Sequence, residues 1–410
     1  MNDSLDDELR RSLHHQADGI PRRPDLTRGA ITRASGIRRR RRIASGVVAA
    51  VLVAIALPLG LWVGDSLSSG QDPVEPPTPS GDTHVELDLR SLPSDDLPAL
   101  PYLDNRTVVG DGISVDVPGT APIAAIAPVS DGVYVATATG SYDWLLTRYA
   151  ADGQAVEIGQ VLGLPVASAD GRWVAYLTGQ TNQNGNPVGP ATLTLVDDET
   201  GDTSTVTLPD ADATQVTIHA IVDGTVYFTY DEFRTGRRVP LQTWTSGDSS
   251  PQPVSGGLDA TAVSPDGRLV AQFTKLVDFG SCSAMFDRET AGVLWRTCKY
   301  QVRGFSPDGR YVWAFPAYTE GYGPTSAAIL DAETGELVRR YDSESQRRYI
   351  TFHDAVFEDD DSLLIRAEQG DQTSLLRCEV YTGECAAAEP LTKGTADDLA
   401  GSPYLLPDVG

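Results

Sequence analysis

The chain has 410 residues and a formal net charge of -25, enough length for one large repeat domain or two to three ordinary ones. Hydrophobic residues make up 40%, so the chain can bury a sizeable core. The charge is split: residues 1–43 hold eleven arginines against six acids, a net +5, whereas the remainder carries 21 bases and 51 acids, a net -30. Such asymmetry points to two compartments, and the acidic body excludes a basic face for nucleic acid.

Ser4 to Ala17 (SLDDELRRSLHHQA) reads as a short amphipathic helix. Ser4 caps it with Asp7 at the third helical position. Leu5, Leu9 and Leu13 form one stripe, and the pairs Asp6–Arg10 and Asp7–Arg11 sit at favourable i, i+4 spacing. A three-leucine stripe with no core to join suggests a cytoplasmic partner groove; a helix of this length alone is marginal, and a frayed tail is the plainer reading.

Ile43 to Val63 contains no charged residue over 21 positions, the length a helix needs to cross the hydrocarbon core. Arg38 to Arg42 precede it directly and Asp65 follows. Positive charge stays on the cytoplasmic side, which predicts residues 1–42 inside, a transmembrane helix over 43–63 and the bulk of the chain outside. The long start and the absence of a small-x-small site before Gly64 favour an uncleaved anchor over a signal peptide. Residues 64–83 are rich in Pro, Ser and Gly and read as an extended spacer.

The order of acidic–leucine helix, IPRRPDL, arginine run and apolar span resembles the start of actinobacterial membrane proteins, some of them similar to membrane-bound anti-sigma regulators. The resemblance implies a sigma factor as cytoplasmic partner. The zinc-type His-x3-Cys-x2-Cys signature of such regulators is absent, since His14 and His15 have no Cys near them.

From residue 84 onward, short alternating runs are broken by turn residues. Asp131-Gly132, Asp170-Gly171, Asp223-Gly224, Asp266-Gly267 and Asp308-Gly309 each precede a β-rich run, and Asp360-Asp361 precedes a sixth. Their spacings are 39, 53, 43, 42 and 52 residues, a period that marks propeller blades. Asp hydrogen-bonds the backbone of a tight turn and Gly accepts its positive φ, so these positions are structural markers. Three copies extend to Ser-Ala/Pro-Asp-Gly-Arg at 168–172, 264–268 and 306–310. A second element, LVDDETG (195–201), MFDRETAG (285–292) and ILDAETG (329–335), reads as a strand–turn–strand hairpin. Two hairpins per period make a four-stranded blade.

This paired grammar resembles the TolB-like and WD-repeat-like propeller families over residues 120–390. The reading is all-β, a six- to seven-bladed propeller over 84–410, with seven favoured. Six blades are visible, and residues 84–118 with 391–410 would build a composite blade that closes the ring and removes exposed strand edges.

The four cysteines lie on the predicted outer side, where disulfides persist. Four allow three connectivities; hairpin geometry selects Cys282–Cys298 and Cys378–Cys385, and no Cys-x2-Cys spacing supports zinc.

Motifs for chemistry are missing: there is no Gly-x-Ser-x-Gly elbow, no His-Glu-x-x-His and no phosphate loop. Of the histidines, only His84, His219 and His353 lie on the predicted outer side. The acidic runs Asp197-Asp198-Glu199 and Glu358 to Asp361 read as solvated turns, because neither follows the calcium-loop pattern. Two loops remain as binding candidates, since binding residues sit on loops carried by rigid scaffolds: 316–326 with Tyr318 and Tyr322, and 179–190 with Asn182 and Asn184. No cofactor or metal is expected. Three functions follow from the sequence: a non-enzymatic outer binding or sensor module with a protein or envelope ligand, a hydrolase or lyase acting on envelope glycans or peptides, and a structural docking protein.

Overall fold

Tight turns divide this chain into strands, and the strands into sheets of four. In the computed structural model, residues 83–139, 144–181, 187–208, 215–232, 238–255, 259–277, 280–319, 323–343, 349–394 and 402–407 are described. The predicted tail helix with Leu5, Leu9 and Leu13, the apolar span 43–63 and nearly all of the spacer lie outside them. No helix among the described residues is long and apolar enough to cross a membrane.

Seven sheets follow one another along the chain. Blade 1 contains strands Ile123–Val129, Gly132–Ala138, Trp144–Ala150 and Ala155–Val161. Blade 2 runs from Val166–Ala167 through Trp173–Thr181 and Pro187–Asp197 to Thr203–Leu208. Blade 3 covers Thr217–Val222, Thr225–Asp231, Arg238–Thr245 and Gln252–Pro253. Blade 4 covers Ala260–Val263, Leu269–Val277, Gly280–Asp287 and Gly292–Thr297. Blade 5 covers Tyr300–Phe305, Tyr311–Pro316, Ser326–Asp331 and Leu337–Ser343. Blade 6 covers Ile350–Phe357, Ser362–Gln369, Gln372–Glu379 and Cys385–Lys393. Each is an antiparallel meander, and the first strands of blades 1 to 5 touch in succession, so the first strands form the inner wall of the ring.

Blade 7 is composite. The C-terminal strand Tyr404–Leu405 pairs with Tyr102–Asp104, which continues into Thr107–Gly110 and Ile113–Asp116. Closure by both chain ends is therefore as expected, but with different boundaries. Residues 391–393 complete the outer strand of blade 6. His84–Leu87 forms no part of blade 7; it adds as a fifth strand, in parallel, to the outer edge of blade 5. From there the chain passes along blade 6, where Asp95 N–H donates to Ala387 O at 2.9 Å and Ala387 N–H to Pro93 O at 2.8 Å. Residues 84–100 are thus a strap across the outside of blades 5 and 6.

The core is distributed. Each interface between neighbouring blades holds its own apolar cluster, from Leu103, Val133 and Leu405 between blades 7 and 1 to Leu100, Val356 and Tyr404 between blades 6 and 7. Both faces of a propeller sheet are covered, which explains why the strands read as apolar runs. Trp244 and Trp313 are fully buried in these interfaces and Trp144 nearly so; each buried large side chain contributes roughly 1.5–3 kcal/mol by burial.

Both predicted disulfides are present, Cys282–Cys298 with a Cα–Cα distance of 4.0 Å and Cys378–Cys385 with 4.2 Å. The first ties the third strand of blade 4 to the residue just past its outer strand; the second ties the third strand of blade 6 to its outer strand.

Candidate functional site

The conspicuous motifs prove to be scaffold. In the turn at 168–172, Ser168 Oγ donates to Asp170 Oδ1 at 2.7 Å, Asp170 Oδ1 accepts the Arg172 N–H at 3.0 Å, and Ser168 Oγ accepts the Trp173 N–H at 2.8 Å. Ser264–Asp266 and Ser306–Asp308 repeat the arrangement. Gly171, Gly267 and Gly309 take φ of 68°, 74° and 74°, where a side chain would be strained.

The acidic runs are solvated only in part: Glu199 is exposed, whereas three of their carboxylates are buried against arginines. Asp197 accepts from Arg172 at 2.6 Å, Asp198 from Arg148 at 2.8 Å and Glu358 from Arg377 at 2.5 Å, and both Asp197 and Glu358 are buried. Arginines contributed by other strands neutralise these carboxylates, which is how buried charge is tolerated. Among the described residues, no group of three or more His, Cys, Asp or Glu is arranged to hold a metal ion.

Of the loop residues, Tyr318 is half exposed, whereas Tyr322, Asn182 and Asn184 lie outside the described residues. Both loops join a second to a third strand, in blades 5 and 2 respectively. Tyr318 follows the second strand of blade 5, and the described ends of the other loop belong to blade 2, three blades away along the chain.

A different constellation lies on the inner wall. Five first strands carry a β-bulge at nearly the same height. The register skips Ala124 between Ile123 and Ala125, His219 between Ile218 and Ala220, Thr261 between Ala260 and Ala262, Arg303 between Val302 and Gly304, and His353 between Phe352 and Asp354. The opposing second-strand pairs are Ala136/Thr137, Phe228/Tyr227, Gln272/Ala271, Ala314/Trp313 and Ala367/Arg366. Bulges re-aim side chains and recur beside functional sites. Here they set one extra residue of each strand on a common ring, and in blades 3 to 6 that residue is polar: His219, Thr261, Arg303 and His353.

This arc is tightly held. His219 Nε2 lies 2.9 Å from Thr229 Oγ1, and His353 Nε2 lies 3.3 Å from Glu368 Oε2. Thr261 Oγ1 donates to Ala271 O at 3.3 Å, and the Arg303 guanidinium donates to Gln301 Oε1. Next to His353, Asp354 accepts from Arg366 at 2.9 Å, with burial outweighing the arginine and pushing the Asp354 carboxyl upward. His219 and His353 stood out from sequence only as outer histidines; Thr261 and Arg303 were missed. A usable signal exists, because each lies five residues before the Asp of its Ser-Pro-Asp-Gly turn.

No protein family matches the chain, and no curated protein sequence does. Solved structures do resemble it. A prolyl endopeptidase shares 14% identity over 64% of this chain with a TM-score of 0.46, and the chain spans 41% of that protein. TolB from Acinetobacter baumannii shares 17% over 59% of this chain and 65% of its own length, with a TM-score of 0.38. The propeller domain of the trilobed protease from Pyrococcus furiosus shares 11% over 67% of this chain and 86% of its own, with a TM-score of 0.45. The sheets themselves define the class: a closed seven-bladed β-propeller with four-stranded blades.

Proposed function

We propose that this protein is a membrane-anchored binding module. Its propeller stands outside the cell and takes a ligand at the mouth of the ring. The observation that carries the binding reading is the inner arc of His219, Thr261, Arg303 and His353, raised on bulges at one height. A scaffold needs no such polar set on its inner wall; a binding site on a rigid frame does. The outer location draws support from two disulfides, which persist in oxidising compartments, and from the arginine run before the apolar span. Residues 1–42, with the stripe Leu5, Leu9 and Leu13, are the natural place for a cytoplasmic partner such as a sigma factor.

The test uses the full chain in detergent. A soluble cell-wall digest and concentrated spent medium are each added, and the unfolding temperature is measured; a bound ligand raises it by mass action. A rise with either fraction supports the reading, and no rise with both overturns it. Protease added to intact cells should remove the propeller and spare an N-terminal tag; a protected propeller overturns the topology.

A further inference from the structure

Blade 4 sets Lys275, Cys282 and Cys298 in one row. Lys275 is the direct cross-strand partner of Cys282, and the disulfide carries the row on to Cys298, just past the outer strand. Lys299 follows Cys298 in the chain. The protein has only three lysines, Lys275, Lys299 and Lys393. Two of the three therefore flank this one bond, both of them exposed, in a body whose net charge over residues 44–410 is -30.

The two disulfides differ in how a reagent can reach them. Cys378 is fully buried, and Cys385 packs with it against the apolar cluster between blades 5 and 6. Cys298 is exposed. Among the described residues, no apolar cluster between blades takes in Cys282 or Cys298. Thiol–disulfide exchange needs a thiolate to reach a sulfur, and it runs faster when the departing sulfur is stabilised as a thiolate. Access favours attack at Cys298. Cys282, the buried half, is then the leaving group, and the Lys275 ammonium on the facing strand favours its thiolate.

The same bond holds the root of a candidate binding loop. Ala317 directly precedes Tyr318. Its N–H donates to Lys299 O at 2.8 Å, and its carbonyl accepts the Ser281 N–H at 3.1 Å. Ser281 and Lys299 are the chain neighbours of Cys282 and Cys298. Both backbone groups of Ala317 are thus held by residues one position from a half-cystine, and the Ser281 bond crosses from blade 4 to blade 5.

We propose that Cys282–Cys298 is a thiol-exchange site whose co-reactant is a dithiol, and that its reduction loosens the backbone at Ala317 and Tyr318. One thiolate of the dithiol attacks Cys298 Sγ, the S–S bond breaks, and Cys282 leaves as a thiolate. The second thiolate attacks the mixed disulfide and releases Cys298. The dithiol ends as its own disulfide, having given two electrons and its two thiol protons to the cysteine pair. This control acts on backbone order and holds whatever ligand the ring takes, so it does not depend on the binding reading above.

Full-length protein in detergent is treated with graded dithiothreitol, and new thiols are trapped with N-ethylmaleimide and mapped by mass spectrometry. Cys282 and Cys298 should be labelled about tenfold faster or more than Cys378 and Cys385, as exposure predicts. Equal rates, or the reverse order, overturn the exchange site. Lys275→Gln combined with Lys299→Gln should slow the labelling severalfold, whereas Lys393→Gln should not; a rate unmoved by the double change overturns the thiolate mechanism. Hydrogen exchange on the selectively reduced parent reads the control itself. Peptides carrying Ala317 and Tyr318 should exchange about tenfold faster than in the disulfide form, with blades 1 to 3 unchanged, as for a local opening. Unchanged protection at Ala317 overturns the control. Cys282→Ser combined with Cys298→Ser should copy the reduced parent; if that variant does not fold, the selectively reduced parent alone decides. If the wall digest stabilises the protein while Ala317 is indifferent to reduction, the binding module stands and the redox control falls.

Discussion

Arg172 donates to Asp197 at 2.6 Å across 25 residues of chain, and this contact joins the two repeated sequence elements into one device. Arg172 closes the Ser-Ala-Asp-Gly-Arg turn between the first and second strands of blade 2. Asp197 opens the Asp-Asp-Glu-Thr-Gly turn between the third and fourth. Asp197 Oδ1 also accepts the N–H groups of Glu199 at 3.1 Å and Thr200 at 3.4 Å. Blade 4 repeats the pairing with Arg268 and Asp287 at 3.2 Å. In blade 5, Asp331 keeps its backbone acceptor role, while Arg310 covers the Tyr311 ring and reaches Tyr381 of blade 6.

Removing Asp197 should therefore cost more than a surface ion pair. The Arg172 side chain is partly exposed, so the pair alone is worth little; most of the loss comes from stranding two turn N–H groups. Asp197→Ala should destabilise by about 2 kcal/mol, read from urea unfolding, with Asp197→Asn milder because it still accepts. Arg172 and those N–H groups hold the Asp197 carboxyl below its ordinary 3.8. A lowered folded value means that its contribution is present above 3.8 and is lost as pH falls through the folded value. The penalty of Asp197→Ala should shrink on acidification below pH 3.8; a constant penalty would show that the charge plays no part.

Much of this fold was legible because its signals are local. Asp-Gly turns need only their own side chains and a positive φ, so Asp170, Asp266 and Asp308 announce themselves; their spacing marks six blades, and the seventh, built from both chain ends, leaves the count at six or seven from sequence alone. Cys378 and Cys385 are also local, being direct partners across one hairpin. The inner arc was not legible in the same way. A β-bulge is a property of register between strands, and nothing in the alternation around Arg303 marks it as the extra residue. The acidic runs misled for a related reason: Glu358 looks solvated until Arg377, nineteen residues on, is placed against it. His84–Leu87 was assigned to the wrong blade because its partner strand begins at Leu337, a separation no local pattern can encode.

Arg366 links the two sides of the ring closure. It donates from Nε to Asp354 at 2.9 Å and from Nη1 to Ser402 Oγ at 3.2 Å and Tyr404 O at 3.0 Å, tying blade 6 to the C-terminal strand of blade 7. Arg366→Met should cost about 3–5 kcal/mol, because Asp354 stays buried without its cation. Adding Asp354→Leu should recover much of that loss in urea unfolding. If the double variant is no more stable than the single one, the closure rather than the buried carboxylate sets the cost.

The pH response of Glu389 should run opposite to that of Asp197. Glu389 is buried on the outer strand of blade 6 and accepts from the Tyr102 hydroxyl of blade 7. Burial pushes its carboxyl above the ordinary 4.5, against the opposing Tyr102 hydrogen bond and with the help of the Asp104 charge. With a raised folded value, the stabilisation is complete below 4.5 and is lost as pH rises through the folded value. Glu389→Gln, neutral at every pH, should show a flatter decline in unfolding temperature above pH 4.5 than the parent. Identical pH profiles in parent and variant would rule out Glu389 as a source of the loss above pH 4.5.

The strap should be releasable without opening the ring. Arg377 is its main side-chain clasp at residues 95–97: Nη1 donates to Asp95 Oδ2 at 2.6 Å and Asp96 O at 3.0 Å, Nη2 to Leu97 O at 3.2 Å, and the same guanidinium pairs with Glu358. Glu358 in turn accepts the Ala99 N–H. Two carboxylates and two carbonyls on one planar fork is a task Lys cannot copy, since an ammonium is a point donor. Arg377→Ala should cost about 3 kcal/mol by leaving Glu358 buried and unpaired. The strap should also open locally between its buried anchors Leu89 and Leu100, because over that stretch its remaining ties are a few backbone bonds. Limited proteolysis followed by mass spectrometry should then find new cleavage between residues 88 and 100, near the exposed Leu97, while fragments from blades 1 to 4 stay protected. Arg377→Lys should fall between the parent and Ala. Cleavage spread evenly over all blades would mean instead that Arg377 supports the whole ring, and that the strap is not a separate unit.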